Sequence, residues 1–363
     1  MTRFAQRRAR LMKLIKQAGA AGLLITNEKN VTYLTGFTGD SSYLLLSRRE
    51  SRMISDFRYV EQLQEECPDL PTHIRPRTKL LRDATIDVLG SAKTAPLLVE
   101  GDSLTIADYT YFAQHLPQQS LGVSRGLVET LRQVKDAGEI EELRRAARQA
   151  EKAFAVLRAT LRPNRTEKEL ADELEFQMRL QGAECSSFPP IVAAGPRAAL
   201  PHARPTLEPI GKHDLLLVDW GASSRGYKSD LTRVLVTGKI SPKLERLYGV
   251  VLRAQEQAIA AIRPGKTGRA IDEVARGIIA DAGFGKYFGH GLGHGVGLDI
   301  HELPRLSVVD ETPLEPGMVV TVEPGIYLPG WGGIRIEDDV LVTRQGHEVL
   351  TNCPKELSEM VVA

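Results

Sequence analysis

Residues 219–233 read DWGASSRGYKSDLTR. Two apolar runs, 214–220 and 228–236, each hold one carboxylate, Asp219 in the first and Asp230 in the second. The GASSRG segment between them is polar and bounded by glycines, which suits a hairpin turn. A turn centred on Ser224 and Arg225 would set positions 219 and 230 directly opposite each other. Cross-strand Cβ atoms lie about 5 Å apart, and like charges facing each other there destabilise a sheet. The neighbours Leu217, Val218 and Trp220 are apolar and indicate interior strands, where repulsion is poorly screened. The two acids therefore share protons or hold cations.

The pattern occurs again downstream. Runs 318–323 and 334–342 carry Glu323 and Glu337, and a turn centred on Gly330 in PGWGG sets those two opposite each other. Ahead of each hairpin comes the same series, a helix pair and then a glycine-rich segment containing histidine. The first pair opens near residue 134, with Ile140, Leu143, Ala147, Ala150, Phe154 and Leu157 at helical spacing. Its second helix starts at Thr166, which forms a capping box with Glu169 ahead of Leu170, Leu174 and Met178. The later pair runs from the cap Ser241 and Pro242 to Ile262, and from Gly268 to Ala282. This order predicts an internal duplication that brings the acids of both halves to one shared interface.

Residues 289–297, GHGLGHGVG, hold His290 and His294. Alternating glycines allow close backbone approach and argue against a regular helix. The spacing is not HExxH, which excludes a zincin. Taken one at a time, an Asp or Glu on a strand is surface decoration. Symmetric placement in two hairpins favours a cage instead. Four carboxylates and the His294 imidazole are a mostly hard-oxygen donor set, better suited to Mn²⁺, Co²⁺ or Fe²⁺ than a thiolate-type zinc site. With bridging carboxylates, five such side chains can hold two ions.

The rest of the composition bounds the setting. At 363 residues the chain suits two domains, with the boundary near 134 in the polar stretch RQVKDAGEIEE, 132–142. Residues 1–133 alternate helix-like stretches with short apolar runs and read as a small α/β domain. With 47 basic and 46 acidic side chains, nothing points to nucleic acid or an acidic membrane. No apolar run approaches the roughly 20 residues of a spanning helix, and the apolar stretch 20–25 is too short for a secretory signal. Arg3, Arg7, Arg8, Arg10, Lys13 and Lys16 are expected on the wet face of a first helix. Cys67, Cys185 and Cys353 form no disulfide framework, so a cytoplasmic, reducing location is expected.

The stretches DWGASSRGYKSDLTR, GHGLGHGVGLDIHE (289–302), TVEPGIY (321–327) and GIRIEDD (333–339) together resemble the pita-bread-fold metallopeptidases, peptidase family M24. That group includes methionine aminopeptidase, aminopeptidase P and prolidase. YLTGFTGDSSYLL (33–45) and ISDFRY (54–59) resemble the creatinase-type N-terminal domain of its proline-directed members, so the resemblance covers nearly the whole chain. It implies an α/β (α+β) architecture: a creatinase-type domain over 1–133 and a pita-bread catalytic domain with pseudo-twofold duplication over 134–363. The activity implied is hydrolysis of the bond between an N-terminal residue and a following proline, as Xaa-Pro dipeptidase or aminopeptidase P. The compact length leans to the dipeptidase.

By the same resemblance two divalent ions are expected, Mn²⁺ or Co²⁺, with Zn²⁺ or Fe²⁺ as alternatives, and they acidify the attacking solvent. Asp219 and Asp230 would hold one ion. Asp230, His294, Glu323 and Glu337 would hold the other, with Asp230 and Glu337 as bridges. Glu323 would double as proton shuttle. His202, in LPHARP (200–205), and His301, in DIHE, match histidines that hydrogen-bond the substrate carbonyl and the tetrahedral intermediate. Arg335 matches an active-site arginine placed with substrate binding, and His290 and Tyr327 are expected in the pocket wall. The implied partners are a small Xaa-Pro peptide and a second copy of the chain in a homodimer. Two alternatives stay open: a creatinase-like amidinohydrolase that works without metal, and a non-catalytic pita-bread binding module. Members of the first kind lack the ligand set, and those of the second have typically lost ligands.

Overall fold

The structure is a computed structural model that describes residues 2–92, 94–118 and 120–362. The chain divides into two compact units, Met1–Arg132 and Gln133–Ala363. In the first, the order is α1 (Arg3–Gln17), β1 (Gly22–Ile25), α2 (Glu28–Thr35), β2 (Tyr43–Ser47), β3 (Ser51–Ser55), α3 (Val60–Glu66), β4 (Thr72–Ile74), α4 (Leu81–Ala92), β5 (Leu97–Glu100), α5 (Ile106–His115), β6 (Leu121–Ser124) and α6 (Leu127–Arg132). One mixed sheet in the order β4-β3-β2-β1-β5-β6 forms its centre. Strand β1 is an unbroken apolar run because it is buried on both faces.

One expectation fails here. Arg7 and Arg8 are buried, not on the wet face of α1. Their guanidinium groups donate to the carbonyls of Tyr33 and Leu34 in the last turn of α2, where a helix offers its carbonyls to outside donors. Arg7 also lies over the Tyr33 ring at 4.1 Å. Long basic side chains can bury their stems where a helix C-terminus offers acceptors.

The second unit continues with α7 (Ala137–Thr160), α8 (Glu167–Leu180), β7 (Cys185–Ser186), β8 (Ile191–Ala194), β9 (Leu215–Trp220), β10 (Ala222–Ser224), β11 (Tyr227–Lys228) and β12 (Leu231–Val236). Then follow α9 (Pro242–Ala261), α10 (Gly268–Asp281), β13 (Gly293–Gly295), β14 (Glu302–Leu306), β15 (Val319–Val322), β16 (Gly325–Leu328), β17 (Gly332–Arg335), β18 (Asp338–Val342) and β19 (His347–Val349). All four long helices are capped as their sequences suggest. Asp136 and Thr166 make capping boxes for α7 and α8, while Ser241 and Thr267 accept the N–H groups of Leu244 and Ala270. In each half a helix pair precedes three antiparallel strands, β8-β9-β12 and β13-β15-β18. One apolar core joins residues of all four helices and both sheets. No helix among the described residues is long and apolar enough to cross a membrane.

The register corrects one sequence expectation. Ser224 pairs with Tyr227 around a two-residue turn of Arg225 and Gly226, both with positive φ. This turn is one residue later than expected, so Asp219 faces Thr232 and not Asp230. A tight two-residue hairpin requires positive φ at both central positions, which Gly226 adopts freely and Arg225 adopts against the usual preference of a residue with a Cβ. In the other hairpin the ladders Val322↔Asp338 and Gly325↔Arg335 share a register centred on Gly330, which sets Glu323 across from Glu337 in the unpaired gap between them.

Below the hairpins lies a fully buried ion pair. Arg233 Nη2 donates to Asp338 Oδ1 at 2.7 Å, and its other N–H groups reach the carbonyls of Thr232, Glu337, Cys353 and Pro354. Asp338 also accepts from Gln255, Thr351 and Lys355. Removing Arg233 leaves the buried Asp338 with Lys355 alone for countercharge and takes a buried donor from the carbonyls of Glu337, Cys353 and Pro354. Arg233→Ala is expected to lower stability by about 3–5 kcal/mol, read as a fall in the urea midpoint of the second unit's unfolding transition.

Candidate active site

Strand alternation delivers the first acid. Trp220 turns into the core, where its ring stacks on Phe154 at 4.1 Å and its Nε1–H donates to the Ala150 carbonyl at 2.9 Å. Its neighbour Asp219 therefore emerges on the opposite face. Asp230 stands just ahead of β12, and its N–H donates to Asp339 Oδ2 at 3.1 Å. Glu323 follows β15, where its N–H reaches the Leu292 carbonyl and Pro324 stops the ladder. Glu337 bridges β17 and β18 and is tied twice to Thr232: its N–H donates to the Thr232 carbonyl, and its Oε2 accepts from Thr232 Oγ1 at 2.6 Å.

His294 arrives on β13, the extended segment that the alternating glycines make possible. A Cβ on Gly293 would meet the Thr321 carbonyl at 2.0 Å, and one on Gly295 would meet the Leu303 carbonyl at 2.3 Å. Only glycine lets three backbones approach that closely. The His294 ring is oriented by its own strand. Nδ1 lies 3.1 Å from the Gly295 carbonyl, which can only accept, so the proton sits on Nδ1 and Nε2 offers a lone pair. Burial, assisted by His301, pushes its pKa down to about 3, so the ring is neutral. Nε2 is 3.4 Å from Glu323 Oε1 and 3.7 Å from Asp230 Oδ2.

Asp230, His294 and Glu337 each offer one ligand atom, all within 4.8 Å of one another. Glu323 stands beside His294. Asp219 is drawn toward Arg335, whose Nη2 donates to its Oδ2. The remaining oxygens, Asp219 Oδ1 and Glu337 Oε1, are buried without a hydrogen-bond partner. An orphaned buried acceptor costs about 1–3 kcal/mol, and more when charged. Cations would satisfy them, so the donor set fits the divalent ions that the sequence led us to expect. Burial and neighbouring acids push the Asp230 and Glu337 carboxyls well above the usual range. Burial also raises Asp219, against the pull of Arg335, and takes Glu323 up to about 8.

The cage forms the floor of a cavity of about 740 Å³. His202, His290, His301, Tyr327 and Arg335 all line it, so every residue singled out from the sequence reaches this one space. They are not equivalent there. His202 and His301 are exposed to the cavity, with the His301 ring edge-on to His294 at 4.3 Å. His290 is committed to the wall: its Nδ1–H donates to the Gly291 carbonyl and its Nε2 accepts from the Tyr327 hydroxyl at 2.9 Å. That direction follows from the ring: burial lowers the His290 pKa to about 4, and a neutral imidazole that donates from Nδ1 can only accept at Nε2, while Arg335 Nη1 donates to the same hydroxyl at 2.9 Å. Arg335 is occupied on every side, its Nε going to Thr232 Oγ1 at 3.0 Å. Phe188, Pro189, Pro190 and Ile191 give an apolar wall, and Arg204 and Arg305 bring positive charge.

Arg204, Arg305, Thr232, Thr321 and Asp339 were not picked out from the sequence. A signal for three of them was present: Thr232, Thr321 and Asp339 each lie two residues from an acid of the cage, the spacing that puts side chains on one face of an extended segment. The two arginines have no such spacing cue.

The chain is similar to known proteins over nearly its whole length. Residues 141–344 match the model of metallopeptidase family M24, and residues 7–134 match the creatinase/prolidase N-terminal domain. The chain is 36% identical over 354 residues to an Xaa-Pro dipeptidase of Pyrococcus furiosus, covering 97% of this chain and 99% of that one. Among solved structures, an Xaa-Pro dipeptidase from Bacillus anthracis superposes with a TM-score of 0.95 at 41% identity, covering 99% of this chain and 100% of that one. An X-Pro aminopeptidase from Thermotoga maritima gives a TM-score of 0.90 at 35% identity, covering 98% and 100%.

Raised carboxyl pKa values have a signed consequence. Without metal, the folded state binds more protons than the unfolded chain between the ordinary carboxylate value and the raised ones, so stability of the metal-free protein falls as pH rises through that interval. Cations must displace those protons, so metal affinity rises with pH. Calorimetric titration of Mn²⁺ in two buffers of different ionisation enthalpy is expected to report net proton release at neutral pH. Equal heats in both buffers would contradict it.

Proposed function

The chain belongs to metallopeptidase family M24, whose model matches more than half of it, and on that premise we propose that it is a metal-dependent Xaa-Pro peptidase acting chiefly on dipeptides. The observation that carries the reading is the convergence of Asp230, His294 and Glu337 within 4.8 Å, with Glu323 and Asp219 beside them at the floor of one cavity. We assign residues 1–133 as a creatinase-type domain and 134–363 as the catalytic domain. Asp219, Asp230, His294, Glu323 and Glu337 would hold two divalent cations. A thiolate-free, oxygen-rich set favours Mn²⁺ or Co²⁺, with Zn²⁺ or Fe²⁺ as alternatives. Bound there, the cations supply Lewis acidity and stabilise negative charge on oxygen at neutral pH.

The protein's own groups account for the rest of the chemistry. Glu323 takes the proton of the attacking solvent and passes it to the proline nitrogen, which leaves poorly without one. His301 and His202 face the cavity and donate to the scissile carbonyl oxygen as its charge grows. Burial keeps the His301 pKa low, so it donates as a neutral ring. Arg335 braces Asp219 and Tyr327, and through them the substrate wall with His290. The apolar run Phe188–Ile191 suits a proline ring, and the exposed Arg305, close along the chain to His301, suits the free carboxylate of a dipeptide. Three free cysteines support a cytoplasmic setting, and the family resemblance supports a homodimer.

Metal-loaded protein is expected to hydrolyse Ala-Pro and to lose activity with chelator or with Asp230→Ala. Measured alongside it, Ala-Pro-Ala should remain uncleaved; comparable rates on both would move the assignment to an aminopeptidase P. His202→Ala or His301→Ala should lower kcat by about 10²–10³-fold. Loss of one charge-assisted hydrogen bond of about 1.5–3 kcal/mol should make Arg305→Ala raise KM for Ala-Pro by roughly ten- to a hundredfold.

A further inference from the structure

Two residues beyond each bridging acid, a polar side chain crosses to the other one. From Asp230 that position is Thr232, whose Oγ1 lies 2.6 Å from Glu337 Oε2. From Glu337 it is Asp339, whose Oδ2 accepts the Asp230 N–H at 3.1 Å. Thr232 and Glu337 also pair through an isolated backbone bridge. The two halves of the unit are thus laced together reciprocally, and both lacing side chains are buried, Thr232 completely.

The direction of the Thr232 bond follows from its other partner. A hydroxyl carries one proton, and a guanidinium can only donate. Arg335 Nε–H donates to Thr232 Oγ1 at 3.0 Å, so the hydroxyl proton is directed to Glu337 Oε2. A separation of 2.6 Å makes this a short O–H···O bond. The carboxylate is thereby held in one rotation, with Oε1 left as the oxygen that has no partner. A looser version of the same arrangement joins His294 and Glu323. Thr321 Oγ1 accepts the His294 N–H at 3.1 Å, and its proton faces Glu323 Oε1 at 3.4 Å.

We infer that Thr232 is a positioning residue for metal capture: the relay from Arg335 through the Thr232 hydroxyl fixes the Glu337 carboxylate so that Oε1 is presented to the cation. The inference rests on the reading of Glu337 as a ligand. It predicts that metal affinity follows the hydroxyl at this position and not its bulk.

The test uses the full, metal-free chain titrated calorimetrically with Mn²⁺ alone, in the absence of any peptide. Thr232→Val keeps the branched shape and loses the hydroxyl, and Thr232→Ser keeps the hydroxyl and loses the methyl group. Loss of a partner that orients a ligand typically costs about 10–100-fold in metal affinity, and that is the weakening expected for Val, with Ser staying within a few-fold of wild type. Thr232→Ala, a second hydroxyl-free variant, should weaken binding as Val does. A role in packing alone would instead spare Val and penalise Ser and Ala. Wild-type affinity in Val or Ala, or a loss in Ser as large as that in Val, overturns the inference while leaving the metal site in place. A wild-type chain that takes up no Mn²⁺ removes the metal reading and this inference together.

Discussion

Carboxylates taken out of water repel one another with little screening, and the second unit holds four of them at the floor of one cavity. Asp219, Asp230 and Glu337 are buried, and Glu323 is half-buried. A fold assembled for stability alone would not gather them. Their accumulation makes sense as a site in which positive charge is supplied from outside the chain, and much of the surrounding structure serves to hold the acids in place until it is. The strands pass through an apolar core, Trp220 pins one of them from behind, and Arg335 places a cation against Asp219.

The second requirement is control over protons. A histidine that is to ligate must be neutral with its lone pair aimed inward, and the Gly295 carbonyl and burial arrange both for His294. The Arg335 fork cannot accept a hydrogen bond, so each hydroxyl it meets is forced to turn its own proton away. At Tyr327 that proton goes to His290, and at Thr232 it goes to Glu337. One buried guanidinium therefore orients two hydrogen-bond chains, one ending at His290 and the other at Glu337. Below them, Arg233 and Asp338 perform a purely structural task with similar chemistry, closing off the carbonyls where the two halves meet.

Legibility differed from element to element for physical reasons. Helix ends were readable because capping is local: the side chains of Thr166 and Ser241 bond N–H groups three residues away. The hairpin at Arg225 was read one residue early, since several residues of GASSRG suit a turn and only the φ values select Arg225 and Gly226. The consequence is that Asp219 and Asp230 meet diagonally rather than face to face. Arg7 and Arg8 misled because amphipathic patterning assigns basic residues to water, whereas the acceptors that bury them come from the end of another helix.

From the sequence alone one could determine the kind of chemistry present: acids embedded in apolar strands, a histidine among alternating glycines, and a twofold repetition of both. Those features depend on residue type and near spacing, which the chain carries in itself. Tertiary structure decided the partnerships, since they join residues far apart in the chain. Arg335 reaches Asp219, Thr232 reaches Glu337, Asp339 reaches Asp230, and Arg305 shares a cavity with Phe188. No local pattern encodes such pairs, because their geometry exists only once two sheets have met across a common core.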